Sequence, residues 1–544
     1  MRLVPRSRGG MLLRSLLAAV LVIGFSAATT AVAGLLQVRQ ITQYFDATPA
    51  FHSSPSVSIP NPGSPQTLLL VGSDHRAGTP WSSANTDTMM LVRLDPSSST
   101  INLLSVPRDL KVQIPEGGVA VTDRLNAAYS IGGPNLLVKI LQEQVFQGVK
   151  INHIIDINFG GFEQLINAIG CVYTDVDHRY YNNTAVTDYS SIDVQPGYQK
   201  LCGADALSFV RFRHSDSDIV RNARQQDFIR WAKSQFSQDQ IVSERDVLLK
   251  IFGVHAQTDH NLHTTDGLIN LFDLVAFSAV HSIKQVPFPA VPLPCNPAPA
   301  QGNAAAAQSP CYVTADPGAE QGAFHQFMTP SKPQPAPAAG SASASAGASS
   351  SAAAGGSASP SAGGAGGHGG SSGKQGPGNA ASAPGLTADV GDGVGQANAL
   401  GPLGIPIYFP KLIRAGSSYC SSNTNACPLE TASPGSYPRA YLLHDRQGIA
   451  HYAYRMTLVM NPSLGQYYGV QGTTWQDPPI LSSPSGTRLA GGRQLLLYAN
   501  GGRLTLVAWR TPQGVYWISN TLTDDLSNQQ MIAIAASLTP AGGK

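Results

Sequence analysis

Four arginines crowd one stretch of this chain: Arg211, Arg213, Arg221 and Arg224 all fall within Ala206–Gln226. Guanidinium forks hold phosphate oxygens through paired hydrogen bonds, so a cluster of this kind suits a phosphate or pyrophosphate. Ser215, Asp216 or Ser217 can cap a helix that runs without Pro or Gly to Gln235. On it Arg221, Gln225, Phe228, Ala232 and Phe236 recur at intervals of three or four and share one face. The apolar members face a core, so Arg221 and Gln225 point inward with them. An inward arginine is costly unless neutralised, and a cation in the first turns opposes the helix dipole. An anion at the helix N-terminus relieves both costs. Arg211 and Arg213 are two apart and project to one side if that piece is extended. The alternative, on this stretch alone, is a set of solvated arginines paired with Asp216, Asp218 and Asp227.

The elements that must position these groups begin upstream. Thr67–Gly72 is a continuous apolar run and reads as a fully buried strand. Asp87–Leu94 is a second strand, Asp95–Ser99 a turn, and Ile101–Pro107 a third strand closed by Arg108. If the first two are antiparallel, Asp74, Asp87 and Arg108 converge at one end of the sheet. Two carboxylates with open neighbours suit Mg²⁺, which takes one or two carboxylates and fills its shell with substrate phosphate oxygens. Taken singly, Asp74 and Asp87 are also ordinary turn residues at strand ends.

Further along, Arg124 and Asn126 approach a helix that follows Gly132-Gly-Pro134 and runs to about Val145. Ile151–Phe159 alternates as a strand, Gly161–Ile169 is a helix and Gly170–Asp175 a strand; His153 reads as an ordinary sheet histidine. Alternating strands and helices predict an α/β fold, a mixed central sheet with helices on both faces. Residues 244–283 are helical and unusually apolar, which suits core packing or, more sharply, a channel for a lipid tail.

The 544 residues exceed one ordinary domain, and a net charge of +2 gives no field for nucleic acid. Residues 1–14 are a basic cytoplasmic tail ahead of an apolar run, 15–36, long enough to span a bilayer with the rest of the chain outside. A cleaved signal peptide is the rival reading, since Ala31-Val-Ala33 resembles a cleavage site. Residues 37–66 form a spacer and 67–327 the main domain. Residues 328–394 are an Ala, Gly, Ser and Pro linker that cannot bury a core. Residues 395–544 are a smaller, mostly β C-terminal α+β domain. In it Gln494–Tyr498, Ala499-Asn-Gly-Gly502 and Arg503–Trp509 carry a hairpin signature. Val515–Ser519 is a further strand and Leu526–Leu538 a closing helix; a binding or wall-docking role follows for this domain. Six cysteines in an exported chain favour disulfides. Neighbour pairing would join Cys171 to Cys202, Cys295 to Cys311 and Cys420 to Cys427, among many open connectivities.

With these residues in place, Thr67–Phe236 resembles the LytR-CpsA-Psr family. The motifs are Val71-Gly-Ser-Asp-His-Arg76, Asn85-Thr-Asp-Thr-Met-Met90, Ser105-Val-Pro-Arg-Asp109, Leu125-Asn-Ala-Ala-Tyr129, Gly203–Arg213 and Asp218–Gln226, in order. The resemblance implies a membrane-anchored, extracytoplasmic phosphotransferase that moves a glycopolymer from a polyprenyl-pyrophosphate carrier onto peptidoglycan. It also implies Mg²⁺ and a hydrophobic tunnel for the prenyl chain. By motif, Asp74 and Asp87 would hold the metal, and Arg108, Arg211, Arg213 and Arg221 would grip the pyrophosphate with Gln225 beside them. Asp74, Asp87 and Arg108 form the catalytic set. Arg124 stands where the family often has lysine. Cys171 replaces the family's usual second glycine before valine, which supports its bridge to Cys202. The alternatives are a pyrophosphate hydrolase using the same site, or a non-enzymatic wall-binding or regulatory protein. The last leaves paired carboxylates beside an anion site, where they would repel the ligand without a metal.

Overall fold

A computed structural model describes residues 48, 50–51, 57–75, 84–183, 191–212, 217–236, 240, 243–278, 280–293, 312–331, 383–421, 427 and 435–542. The expected tail and membrane anchor (1–36), Arg213, Cys295, Cys311 and most of 328–394 lie outside these residues. Among the described residues no helix is long and apolar enough to cross a membrane.

The main elements of the first part are β1 (Gln66–Ser73), β2 (Thr86–Leu94), β3 (Thr100–Ser105), α1 (Leu125–Ile140), β4 (His153–Asn158), α2 (Phe159–Ala168), β5 (Val172–Val176), β6 (Gly197–Leu201), α3 (Gly203–Arg211), α4 (Asp218–Gln235), α5 (Arg245–His255), β7 (Ala256–Thr258), α6 (Thr265–Ser278), β8 (Ser282–Gln285) and α7 (Pro317–Met328). Six strands make one mixed sheet in the order β7-β4-β1-β2-β3-β8. β1 pairs antiparallel with β2 and parallel with β4, and β8 runs parallel to β3. Strand side chains alternate between faces, and β1 is apolar on both. Leu69, Val71, Met89, Leu91, Leu104 and Ile154 pack under α1 and α7 against Leu137, Val138 and Phe327. Leu68, Leu94 and Ile155 pack on the other face against Leu271 and Leu274 of α6 and Phe252 of α5. Each such burial contributes ~1.5–3 kcal/mol. This is the expected layered α/β fold, and those residues of 244–283 serve as core.

Two boundaries differ from expectation. α1 starts at Leu125, ahead of the Gly-Gly-Pro signal, and absorbs it as a kink at Gly133 (φ 63°) and Pro134. Its free first amides are met from outside: Leu125 N donates to Leu110 O at 2.8 Å and Asn126 N to Arg108 O at 3.0 Å. The expected linker also ends earlier than 394. Leu386–Ala388 is a strand and α8 (Val390–Leu400) a helix capped by the Asp389 side chain. Ala397 and Leu400 supply enough apolar surface to bury in the C-terminal core.

The C-terminal part adds β9 (Ser418–Tyr419), β10 (Arg439–His444), β11 (Ala450–Asn461), β12 (Gln466–Thr473), β13 (Gly486–Ala490), β14 (Arg493–Asn500), β15 (Arg503–Arg510), β16 (Val515–Ser519) and α9 (Asn528–Ser537). Its eight-stranded sheet runs β9-β11-β12-β16-β15-β14-β13, with β10 on β11. The β14–β15 hairpin turns where Gly501 takes φ 57°, and Ser527 and Gln530 close a capping box on α9.

The two parts are not separate bodies on a tether. Tyr173, Tyr198, Phe209 and Trp231 of the first part share one buried cluster with Leu443, Ala453, Ile480 and Trp517 of the second. Tyr198 meets Trp517 edge-on at 5.5 Å, and His178 stacks on Tyr467 at 4.0 Å. These aromatics are far apart in sequence, so no local pattern announces their contact. Disulfides join Cys171 to Cys202 and Cys420 to Cys427. Cys171 takes φ 69°, a left-handed conformation that costs an L-residue but suits glycine.

Candidate phosphate-binding and catalytic site

The site is built where β1, β2 and β3 end together. Antiparallel register brings Ser73 opposite Thr86, with an irregularity after Gly72 that leaves Asp87 as the extra residue. Asp74 accepts from the Asn85 backbone amide at 2.6 Å and from Asn85 Nδ2 at 3.3 Å. Asp87 accepts from Arg108 Nη1 and, at 3.3 Å, from both Nε and Nη2 of Arg211. Arg108 and Asp87 are thus in direct contact, while Asp74, at the same end of the sheet, is held by Asn85.

Arg211 arrives differently from expectation. It is the last residue of helix α3 and not part of an extended piece. Ala206, Phe209 and Val210 bury one face of that helix, a three-and-four spacing that outweighs the alternation of the two arginines. The Arg211 guanidinium stacks 3.7 Å above the Phe159 ring, which fixes its plane. Arg213 lies outside the described residues.

α4 brings the other half. Ser217 caps it, accepting from Val220 N. Arg221 is 1% exposed and Gln225 5% exposed, so both point inward as the apolar spacing predicts. Asp218 in the same first turn ion-pairs with Arg221, and its Oδ2 also accepts from the Arg108 backbone amide at 3.0 Å. The alternative pairing with Asp218 is therefore real, but it is buried and not solvated. Burial lowers the Arg221 pKa against the pull of Asp218. Arg221 Nε is buried with no hydrogen-bond partner among the described residues. Gln225 Nε2 donates to Thr88 Oγ1 at 2.8 Å and Val210 O at 3.1 Å, leaving its Oε1 unpartnered. Arg224 turns away and lies 4.5 Å from the Tyr180 ring centroid.

Sequence reading missed two carboxylates here and misjudged the burial of a third. Asp109 sits 3.7 Å from Arg108 Nε and 3.8 Å from Arg124 Nη1. Burial and the neighbouring Asp218 push its pKa up against those cations. Asp218 was read only as a surface partner. Asp156 on β4 is fully buried and accepts from the Tyr129 hydroxyl. Burial and the nearby Asp74 raise it to about 7, against hydrogen bonding from Tyr129 and Ser73. A lone aspartate inside Ile154-Ile-Asp-Ile157 was the available signal. His153 is also buried, with Nδ1 3.2 Å from Asp259.

Among the described residues no three His, Cys, Asp or Glu converge as a metal cage. Asp74 and Asp87 nevertheless fit Mg²⁺ by donor chemistry: both are hard oxygen ligands at one sheet end, and a carboxylate has lone pairs beyond the donors it already accepts.

A model of the LytR_cpsA_psr family matches residues 36–304. The polyisoprenyl-teichoic acid–peptidoglycan teichoic acid transferase TagU of Oceanobacillus iheyensis is 31% identical over 210 residues, 37% of this chain and 61% of that protein. The probable cell wall biosynthesis protein LcpB of Corynebacterium glutamicum is 32% identical over 209 residues, 36% of this chain and 48% of that protein. The chain thus spans roughly half to three-fifths of the lengths of these relatives. A solved structure of B. subtilis TagV aligns at 21% identity and TM-score 0.37, covering 49% of this chain and 96% of that one.

Proposed function

We propose that this chain, whose residues 36–304 match a model of the LytR_cpsA_psr family, transfers a wall glycopolymer from a polyprenyl-pyrophosphate carrier to peptidoglycan. The observation that carries this reading is Arg221, a buried guanidinium with an unpartnered Nε, beside Arg108 and Arg211 gathered on Asp87. A protein rarely leaves such donors unused, and a diphosphate supplies the acceptors. The transferase names of the relatives agree with that ligand.

In this mechanism Arg108, Arg211, Arg213 and Arg221 grip the diphosphate, with Arg124 at the rim; Gln225 stands beside them, its amide hydrogens tying α4 to Thr88 and Val210. A hydroxyl oxygen of a peptidoglycan sugar attacks the sugar-linked phosphorus. The bond from that phosphorus to the bridging oxygen breaks, and polyprenyl phosphate leaves with its electron pair. Asp74 or Asp87 takes the hydroxyl proton; among the described residues Asp87 serves two arginines and Asp74 accepts from Asn85. Positioning and charge stabilisation do most of the work in such transfers. Mg²⁺ held by Asp74 and Asp87 would neutralise the diphosphate charge. Residues 15–36 anchor the chain in the membrane, where the carrier resides, with the domains outside the cell.

The test is to incubate the protein with labelled lipid-pyrophosphate saccharide, Mg²⁺ and peptidoglycan. Label in the wall supports transfer. Free sugar phosphate would make the protein a hydrolase, and intact retained lipid a binder; either overturns the reading.

A further inference from the structure

A cavity of about 580 Å³ lies between the two parts of the chain, with α4 and the β3 end on one side and the β14–β15 turn and the 522–525 loop on the other. Its size falls in the ~300–1,000 Å³ range of small-ligand sites. It is a joint product of both parts. Asn500 and Gln285 exchange hydrogen bonds across its edge, with Gln285 N donating to Asn500 Oδ1 at 3.1 Å and Asn500 Nδ2 to Gln285 Oε1 at 2.5 Å.

Three polar side chains face this space. Asn222 and Gln226, one turn apart on α4, are 7% and 6% exposed and line it. Ser105 Oγ is buried with no hydrogen-bond partner among the described residues. A buried hydroxyl is normally satisfied, and this one lies in the wall of an open space.

We propose that this cleft is a saccharide subsite. An amide side chain both donates and accepts, which matches sugar hydroxyls that do the same. Pro107, Ile219 and Phe288 offer apolar surface to the C–H faces of a ring. The position suits the chemistry. Asn222 follows Arg221 and Gln226 follows Gln225, so the cleft and the phosphate site occupy neighbouring faces of one helix, about 100° apart. Pro107 likewise precedes Arg108. A sugar ring held here lies next to the diphosphate. Which sugar it is, the acceptor glycan or the polymer being moved, rests on the transfer reading above.

The experiment titrates the full chain with two lipid-free probes, an uncrosslinked peptidoglycan glycan fragment and a saccharide 1-phosphate, by calorimetry. The variants are Asn222→Leu with Gln226→Leu, and Gln326→Ala at the cleft rim, where the exposed side chain carries no folding role. At least a tenfold loss of affinity for one probe in the double variant, and a few-fold loss in Gln326→Ala, supports the subsite and identifies its sugar. Equal binding by wild type and both variants, or no binding of either probe to wild type, overturns it. If the double variant does not fold, Gln326→Ala decides alone. Transfer to peptidoglycan with an unchanged acceptor KM and unchanged probe binding in Gln326→Ala sinks the subsite and leaves the transferase. Probe binding lost in the variants without any transfer by wild type keeps the subsite and sinks the transferase.

Discussion

Arg455 of β11 and Asp175 of β5 form an ion pair at 3.0 Å across the junction of the two parts, with the arginine side chain fully buried. Asp175 also accepts from Trp517 Nε1 at 3.3 Å, and Arg455 donates to Ser519 Oγ at 2.9 Å. Removing one partner strands a buried charge. Arg455→Ala should lower stability by about 3–5 kcal/mol, and Asp175→Asn should lower it less, because the amide keeps an acceptor. Chemical denaturation of both variants checks this.

Arg221→Met keeps the helix and most of the volume but removes the guanidinium. Transfer should fall on the order of 100-fold or more, the usual loss for one preorganised donor at developing charge. The same change leaves Asp218 buried without its partner, so stability must be measured beside kcat. Arg230→Met, at an ion pair with Asp227 on the same helix, should leave transfer within a few-fold. Equal losses in the two variants would remove Arg221 from the site.

Asp156 gives a pH dependence with a definite sign. Its folded pKa is raised to about 7 by burial, above the unfolded value of about 3.9. The folded state therefore holds a proton that the unfolded state has lost. Its contribution is intact below about pH 4 and is lost as pH rises to about 7. Glu320 and Asp524 are also raised to about 7 by burial and act with the same sign. Asp156→Asn should flatten the decline of Tm between pH 4 and 7 relative to wild type, without abolishing it.

The bridge from Cys171 to Cys202 should be worth about 2–4 kcal/mol. Because Cys171 sits at φ 69°, the identity of its replacement matters. Cys171→Gly with Cys202→Ser should be more stable than Cys171→Ala with Cys202→Ser by ~1 kcal/mol, the cost of a left-handed alanine. Thermal melts of the pair decide it.

The strands that carry the site were legible because their patterns are local. A continuous apolar run from Thr67 reads as a doubly buried strand, and an antiparallel return brings Asp74, Asp87 and Arg108 to one end. The inward aim of Arg221 followed from sharing a face with Phe228, which is buried. What neutralises Arg221 was not legible. Asp218 is polar at a helix start, where carboxylates are common on surfaces, and only the arrival of β3 at its other oxygen makes it internal. Asp109 and Asp156 are hidden for the same reason, since their burial depends on distant segments. Arg211 was misplaced because two arginines at alternate positions mimic a strand, while the helix is set by Ala206 and Phe209.

Because Tyr198 and Trp231 share one buried cluster with Leu443 and Trp517, whatever length of chain joins the two parts is closed at both ends in the thermodynamic sense. Closure entropy grows only with the logarithm of loop length, and doubling this span would cost about 0.6 kcal/mol. Evolution is therefore free to expand or shorten this tract with little effect on how firmly the aromatic contact closes. Cutting the chain there has the opposite effect: it turns a unimolecular closure into an encounter between two fragments, so that the burial of Tyr198 and Trp231 comes to depend on protein concentration.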